Sequence, residues 1–87
     1  MLLLQFWQPK KIHFLKVKIH PNPVETSFTI SIQEPIQQVT IINNSGEVVK
    51  TVKGNSKNLD VSNLNSGTYF VQIKTDKEII TQKIIKK

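Results

Sequence analysis

The sequence of 87 residues contains no cysteine, no arginine and no alanine. Without cysteine it can form neither disulfides nor a zinc ribbon, and it has no thiol chemistry. It lacks alanine, the best helix former, whereas Ile, Val and Thr, which favour strands, supply 12, 8 and 7 residues. No apolar run reaches the roughly 20 residues that a membrane-spanning helix needs. This composition predicts an all-β protein.

The small size limits the kind of function that the chain can have. A chain of this length predicts one small domain, because a larger number of hydrophobic cores would not fit. Such a domain is stable by only about 4–13 kcal/mol. A catalytic cleft with its own rigid supporting shell would be hard to fit into it, so the chain is not predicted to be an enzyme.

The net charge of +6 is unevenly distributed. Residues 19–82 carry five lysines against all six acidic residues, so the body of the chain is close to neutral. A nucleic-acid-binding protein is expected to gather its charge on one folded face and to use arginine for bidentate contacts. The sequence therefore does not predict a nucleic-acid partner. The remaining lysines lie near the two ends: Lys10, Lys11, Lys16, Lys18, Lys83, Lys86 and Lys87.

Two parts of the chain differ in pattern. Residues 1–15 hold four of the six leucines and the only tryptophan, without alternation. They begin with MLLLQFW, which resembles the start of a signal peptide but has no basic residues before it and no small-residue cleavage site after it. We interpret residues 1–15 as a poorly ordered tail or the remnant of an upstream linker, and residues 16–87 as the domain.

Residues 16–87 alternate between short apolar runs and turns, at the spacing of about 8–12 residues that is typical of sandwiches and barrels. Prolines or small polar residues end the runs, as in Pro21–Pro23, Glu34–Pro35 and Asn44–Gly46. The pattern predicts about seven short strands in an antiparallel two-sheet β-sandwich of immunoglobulin-like type. The predicted strands contain Val17 and Ile19; Phe28, Ile30 and Ile32; Val39 to Ile42; Val48 to Val52; Leu59 and Val61; Tyr69, Val71 and Ile73; and Ile79 to Ile85.

The sequence contains no recognisable catalytic, cofactor-binding or metal-binding constellation. The six acidic residues fall at predicted turns or strand ends, and neither His13 nor His20 has further ligands at metal-binding spacing. The three glycines form no phosphate-binding loop. Asn43 begins a formal N-glycosylation motif, although a turn is a sufficient explanation of it. We therefore predict no cofactor and no small-molecule substrate.

One group of residues predicts a specific structural feature. Leu64 and Gly67 precede Tyr69 at the start of a strand, which is typical of the tyrosine corner of sandwich domains. In such a corner the ring fills the core and the hydroxyl group bonds to upstream backbone. Phe70 is then predicted to point to the opposite face, either outward or into an edge contact.

Four motifs together resemble one family. They are KVKIHPNP, an Asn–Ser–Gly hairpin before VV, LxxGxYFVxI, and a closing strand that ends in two lysines. In this order they resemble the type A C-terminal sorting domain of the type IX (Por) secretion system, from about Lys16 to Lys87. The family's motif positions correspond here to Pro21, Asn22, Pro23, Gly46, Leu64, Gly67, Tyr69, Lys86 and Lys87.

The resemblance implies a non-enzymatic, removable secretion signal. Cargo would reach the periplasm, and the outer-membrane translocon would recognise the folded domain. A sortase-like surface peptidase would then cut between about Lys10 and Lys16, leaving the cargo secreted or on the cell surface. Family members normally carry a large cargo and an export signal ahead of the domain, whereas only some fifteen residues precede it here. The last strand, with its lysine tail, is expected to present an accessible edge that the translocon could hold.

Two alternatives remain open on the sequence. A β-sandwich adhesion or carbohydrate-binding module would normally expose two or three aromatic side chains on one face. The predicted domain holds only Phe28, Tyr69 and Phe70, and two of these are expected to be buried. The other alternative is a membrane-surface peptide formed by residues 1–11, an apolar segment followed by two lysines.

Overall fold

The computed structural model describes residues 17–87. The predicted tail, with its leader-like and membrane-surface segment, lies outside the described residues, as do His13 and the expected cleavage segment. Residues 17–87 include no helix, and so none that could cross a membrane. They form seven strands, which confirms the predicted number: β1 Lys18–His20, β2 Ser27–Ser31, β3 Ile36–Asn43, β4 Val48–Lys53, β5 Asn58–Asp60, β6 Gly67–Thr75 and β7 Ile79–Lys86.

The strands form two antiparallel sheets, which confirms the predicted fold class. The smaller sheet has the order β1-β2-β5, and the larger sheet has the order β4-β3-β6-β7. Hairpins join β3 to β4 and β6 to β7, and the chain crosses between the sheets after β2, β4 and β5. This arrangement is consistent with an immunoglobulin-like sandwich.

The core lies between the two sheets and is built mainly by alternation along the strands, with a register shift in β3 between Ile36 and Gln38. In β2 Phe28 and Ile30 are buried, and in β6 Val71 and Ile73 are buried, while their neighbours face away. Full burial of such a side chain stabilises a fold by about 1.5–3 kcal/mol. The buried apolar residues are Val17, Val24, Phe28, Ile30, Ile36, Val39, Ile41, Leu59, Val61, Tyr69, Val71, Ile73 and Ile84.

Several predicted strand boundaries differ from the structure; Val17, for example, precedes β1, and β3 begins at Ile36. Three of the differences have a cause in the tertiary structure. Ile32 follows β2 instead of belonging to it, and its carbonyl accepts a hydrogen bond from Lys57 Nζ at 3.2 Å. Val61 follows β5, yet it is buried, and its N–H donates to the carbonyl of Thr26 at 2.8 Å. Gly67 opens β6 instead of lying in a turn. In each case tertiary hydrogen bonding or strand pairing decided where the strand ends.

The sandwich has two ends that gather different loops. The strand registers bring the last residue of β3 beside the start of β6, and the start of β6 beside the end of β7. We call this the motif end; it also contains the loops at residues 21–26, 44–47 and 61–66. The chain enters the sandwich at Val17 at the opposite end, here called the linker end, with the loops at residues 32–35, 54–57 and 76–78.

Candidate functional site at the motif end

The nine residues singled out from the sequence all lie at or beside the motif end. They come from separate parts of the chain: the loop after β1, the β3–β4 hairpin, the loop before β6, and the start of β6 and end of β7. The strand pairing of Gly67 with Lys86 joins two of these parts directly. The residues are Pro21, Asn22, Pro23, Gly46, Leu64, Gly67, Tyr69, Lys86 and Lys87.

Asn22 lies on the edge of β7 and its side chain contacts two peptide groups there. Its Oδ1 accepts a hydrogen bond from the N–H of Ile85 at 3.1 Å, and its Nδ2 lies 3.5 Å from the carbonyl oxygen of Lys83. A primary amide has both a donor and an acceptor, as a peptide group has. Asn22 therefore occupies the edge of β7 in the way that the backbone of another strand would.

Val24 continues this contact through its own backbone. Its N–H donates to the carbonyl of Ile85 at 2.7 Å, and its carbonyl accepts from the N–H of Lys87 at 2.8 Å. The two bonds form a parallel bridge with Lys86, and the Val24 side chain is completely buried. The flanking prolines have no N–H to donate, so Asn22 and Val24 provide the pairing. The segment thereby joins the smaller sheet to the larger one.

The expectation that β7 presents an accessible edge is therefore wrong for its last residues. The N–H of Ile85 and the carbonyls of Lys83 and Ile85 already have partners in the segment after β1. An edge strand with satisfied backbone groups cannot accept a further strand without losing those bonds. The sequence could not show this, because the contacting residues are more than 60 positions apart.

The two terminal lysines have different environments. Lys86 follows the alternation of β7, so its side chain points inward and is only 8% exposed, and its Nζ donates to the backbone oxygen of Lys87 at 3.1 Å. Lys87 is exposed and lines an open groove of about 400 Å³ with Pro21, Pro23 and Glu25. The basic group presented to a partner at this point is therefore that of Lys87.

The tyrosine corner is present as predicted. The ring of Tyr69 is buried, and its hydroxyl group donates to the carbonyl of Asn65 at 2.7 Å. Leu64, which begins the predicted motif, packs against the core. Phe70 faces the outer side of the larger sheet and is half-buried. These residues stabilise the fold and position the start of β6 beside the end of β7.

Asn43 organises the β3–β4 hairpin, a role that its place in a predicted turn does not by itself specify. Its Oδ1 accepts from the N–H groups of Ser45 and Glu47, each at 2.9 Å, and its Nδ2 donates to Glu47 Oε1 at 3.1 Å. Gly46 adopts φ +89°, which favours glycine. The sequence feature that could have predicted this role is the Asx turn, in which an Asn side chain bonds to the backbone two residues further on. The bonds also occupy the amide that N-glycosylation would modify.

The titratable groups of residues 17–87 form no candidate metal site. Within residues 17–87 no group of three or more His, Asp and Glu could hold a metal ion, and His20 is exposed. The pKa of Asp60 lies below its ordinary value, because Ser62 donates hydrogen bonds to the carboxylate from its backbone and side chain, and Lys50 adds a smaller Coulombic effect. This arrangement stabilises the turn after β5.

Comparison with known proteins identifies the domain. The family model of secretion system C-terminal sorting domains matches residues 18–87, which is the whole of the described sandwich except Val17. The chain belongs to this family. The resemblance to a type IX sorting domain is thereby confirmed, and with it a role as a C-terminal sorting signal. No curated protein sequence matches the chain.

A solved structure supports the fold of this sorting domain. PorZ, an essential bacterial surface component of the type IX secretion system of Porphyromonas gingivalis, is similar to it with a TM-score of 0.66 and 16% sequence identity. The similarity covers 92% of the sorting domain's chain and 12% of the PorZ chain. The chain thus corresponds to a small part of that larger protein, and at this identity the likeness concerns the fold.

Proposed function

We propose that this sorting domain acts without catalysis, as a removable address that the type IX outer-membrane translocon recognises at the motif end. A sortase-like surface peptidase would then remove it, leaving its cargo secreted or at the cell surface after passage through the periplasm. The observation that carries the proposal is the family match over residues 18–87 together with the gathering of all nine motif residues at one end.

The motif end exists as one surface only in the folded domain. Asn22 contacts residues 61 and 63 positions away in the chain, and the groove beside it combines Pro21 and Pro23 with Lys87. A partner that binds this surface would therefore require both the motif residues and the folded domain that brings them together. Such a partner would discriminate a folded domain from an unfolded one, which suits a signal that acts late in export.

The polarity of the sandwich supports the proposal. The described chain enters at Val17 at the linker end, whereas the motif residues lie at the other end. Cargo attached before residue 16 would therefore join the domain at the end opposite the surface that the translocon binds. The expected cleavage segment, Lys10 to Lys16, directly precedes Val17 in the sequence, so a peptidase could act before the linker end while the motif end remains bound.

The proposal is tested by fusing residues 16–87 to a periplasmically exported fluorescent protein in a host with a type IX secretion system. The expected result is fluorescence in the medium or at the cell surface, with loss of the domain from the reporter. A fusion that stays in the periplasm as completely as the unfused reporter would contradict the proposal.

Deleting Ile84–Lys87 should abolish export, but this deletion also removes a core residue and the bridge to Val24. A sharper pair of variants is therefore Lys87→Ala at the motif end and Lys77→Ala at the linker end. Both lysines are exposed, and each variant removes one charge. Export should fall for Lys87→Ala and stay unchanged for Lys77→Ala. Equal export of the two variants would argue against recognition through Lys87.

The alternative of a carbohydrate-binding module has less support. Phe28 is 1% exposed and Tyr69 is 7% exposed, which confirms the expectation that two of the three aromatic residues are buried. In the described domain this leaves Phe70 as the only aromatic residue on an outer face, where stacking on sugar rings usually uses two or three. Binding to a glycan array above background would revive this alternative.

A further inference from the structure

The outward faces of the two sheets differ in chemistry. On the smaller sheet every outward position of the three strands is polar or charged, with both signs present: Lys18, His20, Ser27, Thr29, Ser31, Asn58 and Asp60. On the larger sheet the outward positions include several apolar residues that the core does not use. A sheet that faces only water normally shows polar residues there. The larger sheet therefore has an outer face with more apolar side chains than a face in contact with water alone would normally have.

An apolar row crosses three strands of this outer face. Ile42 of β3 is paired with Val48 of β4 and with Phe70 of β6, and residues paired across antiparallel strands lie on the same face. Val48 is 59% exposed, while Ile42 and Phe70 are half-buried by their neighbours. Ile85, at 39% exposure, lies diagonally from Phe70 on β7, because its direct partner is Thr68.

The strands of this outer face carry positive charges and no negative ones: Lys83 borders the apolar row, and two further lysines lie four or five residues along the strands toward the linker end. Lys53 and Lys74 are both paired with Gln38, and Lys83 is paired with Phe70, so all three lysines share the outer face. The four described strands of the larger sheet contain no aspartate or glutamate. The acids at the margins of this sheet lie in its turns: Glu47, directly before Val48, and Asp76 and Glu78 between β6 and β7.

Strand addition to the larger sheet is hindered at residues 83–86 of β7 and along β4, which favours a partner that meets the face. On β7 Asn22 and Val24 occupy the edge at the last residues of the strand. On β4 the register shifts between Ile41 and Ile42, and Lys50, paired with buried Ile41, points toward the inner side. Inward-pointing charges and bulges on edge strands are known devices against edge pairing.

We propose that this outer face, centred on Val48, Ile42, Phe70 and Ile85, is a docking surface for a partner protein that presents apolar side chains flanked by carboxylates. The proposal rests on the proposed function, since such a partner belongs among the components that handle the domain during export. A second copy of the domain fits poorly, because it would bring lysines against lysines. An anionic membrane fits poorly as well, since polybasic lipid-binding clusters have about 4–8 lysines or arginines.

The size of the face indicates a transient contact. Four strands about 4.8 Å apart and about eight residues long offer a face of roughly 500 Å². Stable interfaces bury about 800 Å² on each partner, and transient encounters bury less. A short-lived complex is suitable for a domain that must be bound, transferred and released. Charge complementarity would then govern the rate of encounter and its dependence on salt.

The test uses the reporter fusion in the type IX host, with a photo-crosslinking amino acid at Thr81 on the outer face. The matched control carries it at Ser31, which is exposed on the outer face of the smaller sheet. The expected result is one protein adduct of defined mass from Thr81, absent from Ser31 and weakened by added salt. Adducts of equal yield at both positions, an adduct with the mass of two fusions, or an adduct with lipid would each overturn the proposal.

Export of charge variants supplies the second readout. Lys83→Glu is expected to lower export about tenfold, because like charges placed against an acidic partner are strongly unfavourable. Lys83→Gln should have a smaller effect, and Lys18→Glu, on the smaller sheet, should have none. Circular dichroism of the purified variants checks that each is folded. If Lys83→Glu does not fold, the export of Lys83→Gln alone tests the proposal.

The outcomes separate this proposal from the proposed function. If the unsubstituted fusion is exported and both Lys83 variants are exported as well as Lys18→Glu, the docking surface is wrong and the sorting role stands. If the unsubstituted fusion is not exported, both are wrong. Loss of export in the Lys83 variants, together with the specific Thr81 adduct, is the result that supports the docking surface.

Discussion

The Oδ1 atom of Asn22 accepts a hydrogen bond from the N–H of Ile85 at 3.1 Å. This contact joins the first loop of the domain to its last strand, and the neighbouring backbone bonds of Val24 extend it on the same edge. Asparagine between two prolines thereby acquires a physical role. The amide replaces a peptide group at a place where the prolines can donate nothing.

Replacing Asn22 by alanine is expected to lower the free energy of unfolding by about 1 kcal/mol, since one hydrogen bond is lost and the N–H of Ile85 loses its partner. Urea denaturation would measure this change, and amide hydrogen exchange at Ile85 should accelerate. Asn63→Ala, at an exposed position in the loop before β6, is the matched control. Unchanged exchange at Ile85 would show that Asn22 does not hold the edge of β7.

Replacing Tyr69 by phenylalanine keeps the ring in the core and removes only the hydroxyl group that donates to Asn65. The expected loss is about 1 kcal/mol, with no change of fold. For a domain of this size that corresponds to a fall of about 4–8 °C in Tm, which differential scanning calorimetry would resolve. An unchanged Tm would contradict the assignment of a tyrosine corner.

Replacing Asn43 by alanine should destabilise the β3–β4 hairpin. The change removes the acceptor of two backbone N–H groups as well as the donor to Glu47, so we expect a loss of about 1–2 kcal/mol. The neighbouring Asn44→Ala is the control, because Asn44 is exposed in the same turn. Equal losses in the two variants, measured by urea denaturation, would refute the role given to Asn43.

The lowered pKa of Asp60 predicts a specific pH dependence. Because the folded state lowers this pKa, the ionised carboxylate stabilises the fold above the ordinary aspartate value near about pH 4, and this contribution is lost as the pH falls through the folded pKa. Asp60→Asn should therefore lose less stability than the unsubstituted domain between about pH 5 and pH 2. Urea denaturation midpoints of both proteins, measured at several pH values, would check this difference. If the midpoints of the two proteins fell in parallel with decreasing pH, the prediction would be contradicted.

The strands were predictable because alternation is a local property. Phe28 and Ile30, or Val71 and Ile73, show their burial in the sequence itself, and prolines or Asn–Ser–Gly turns mark where strands end. The tyrosine corner was predictable for the same reason, because its hydrogen bond spans only four residues. The gathering of the motif residues was not, since their contacts join loops far apart in the chain.

The sequence by itself determined the all-β class, the seven strands and the family, because each of these depends on short-range pattern and on motifs in a fixed order. Only the tertiary structure decided that Lys86 turns inward while Lys87 remains exposed, that the first loop covers the edge of β7, and that the larger sheet shows an apolar and basic outer face. These features depend on strand register and on which strands become neighbours. Long-range packing sets both.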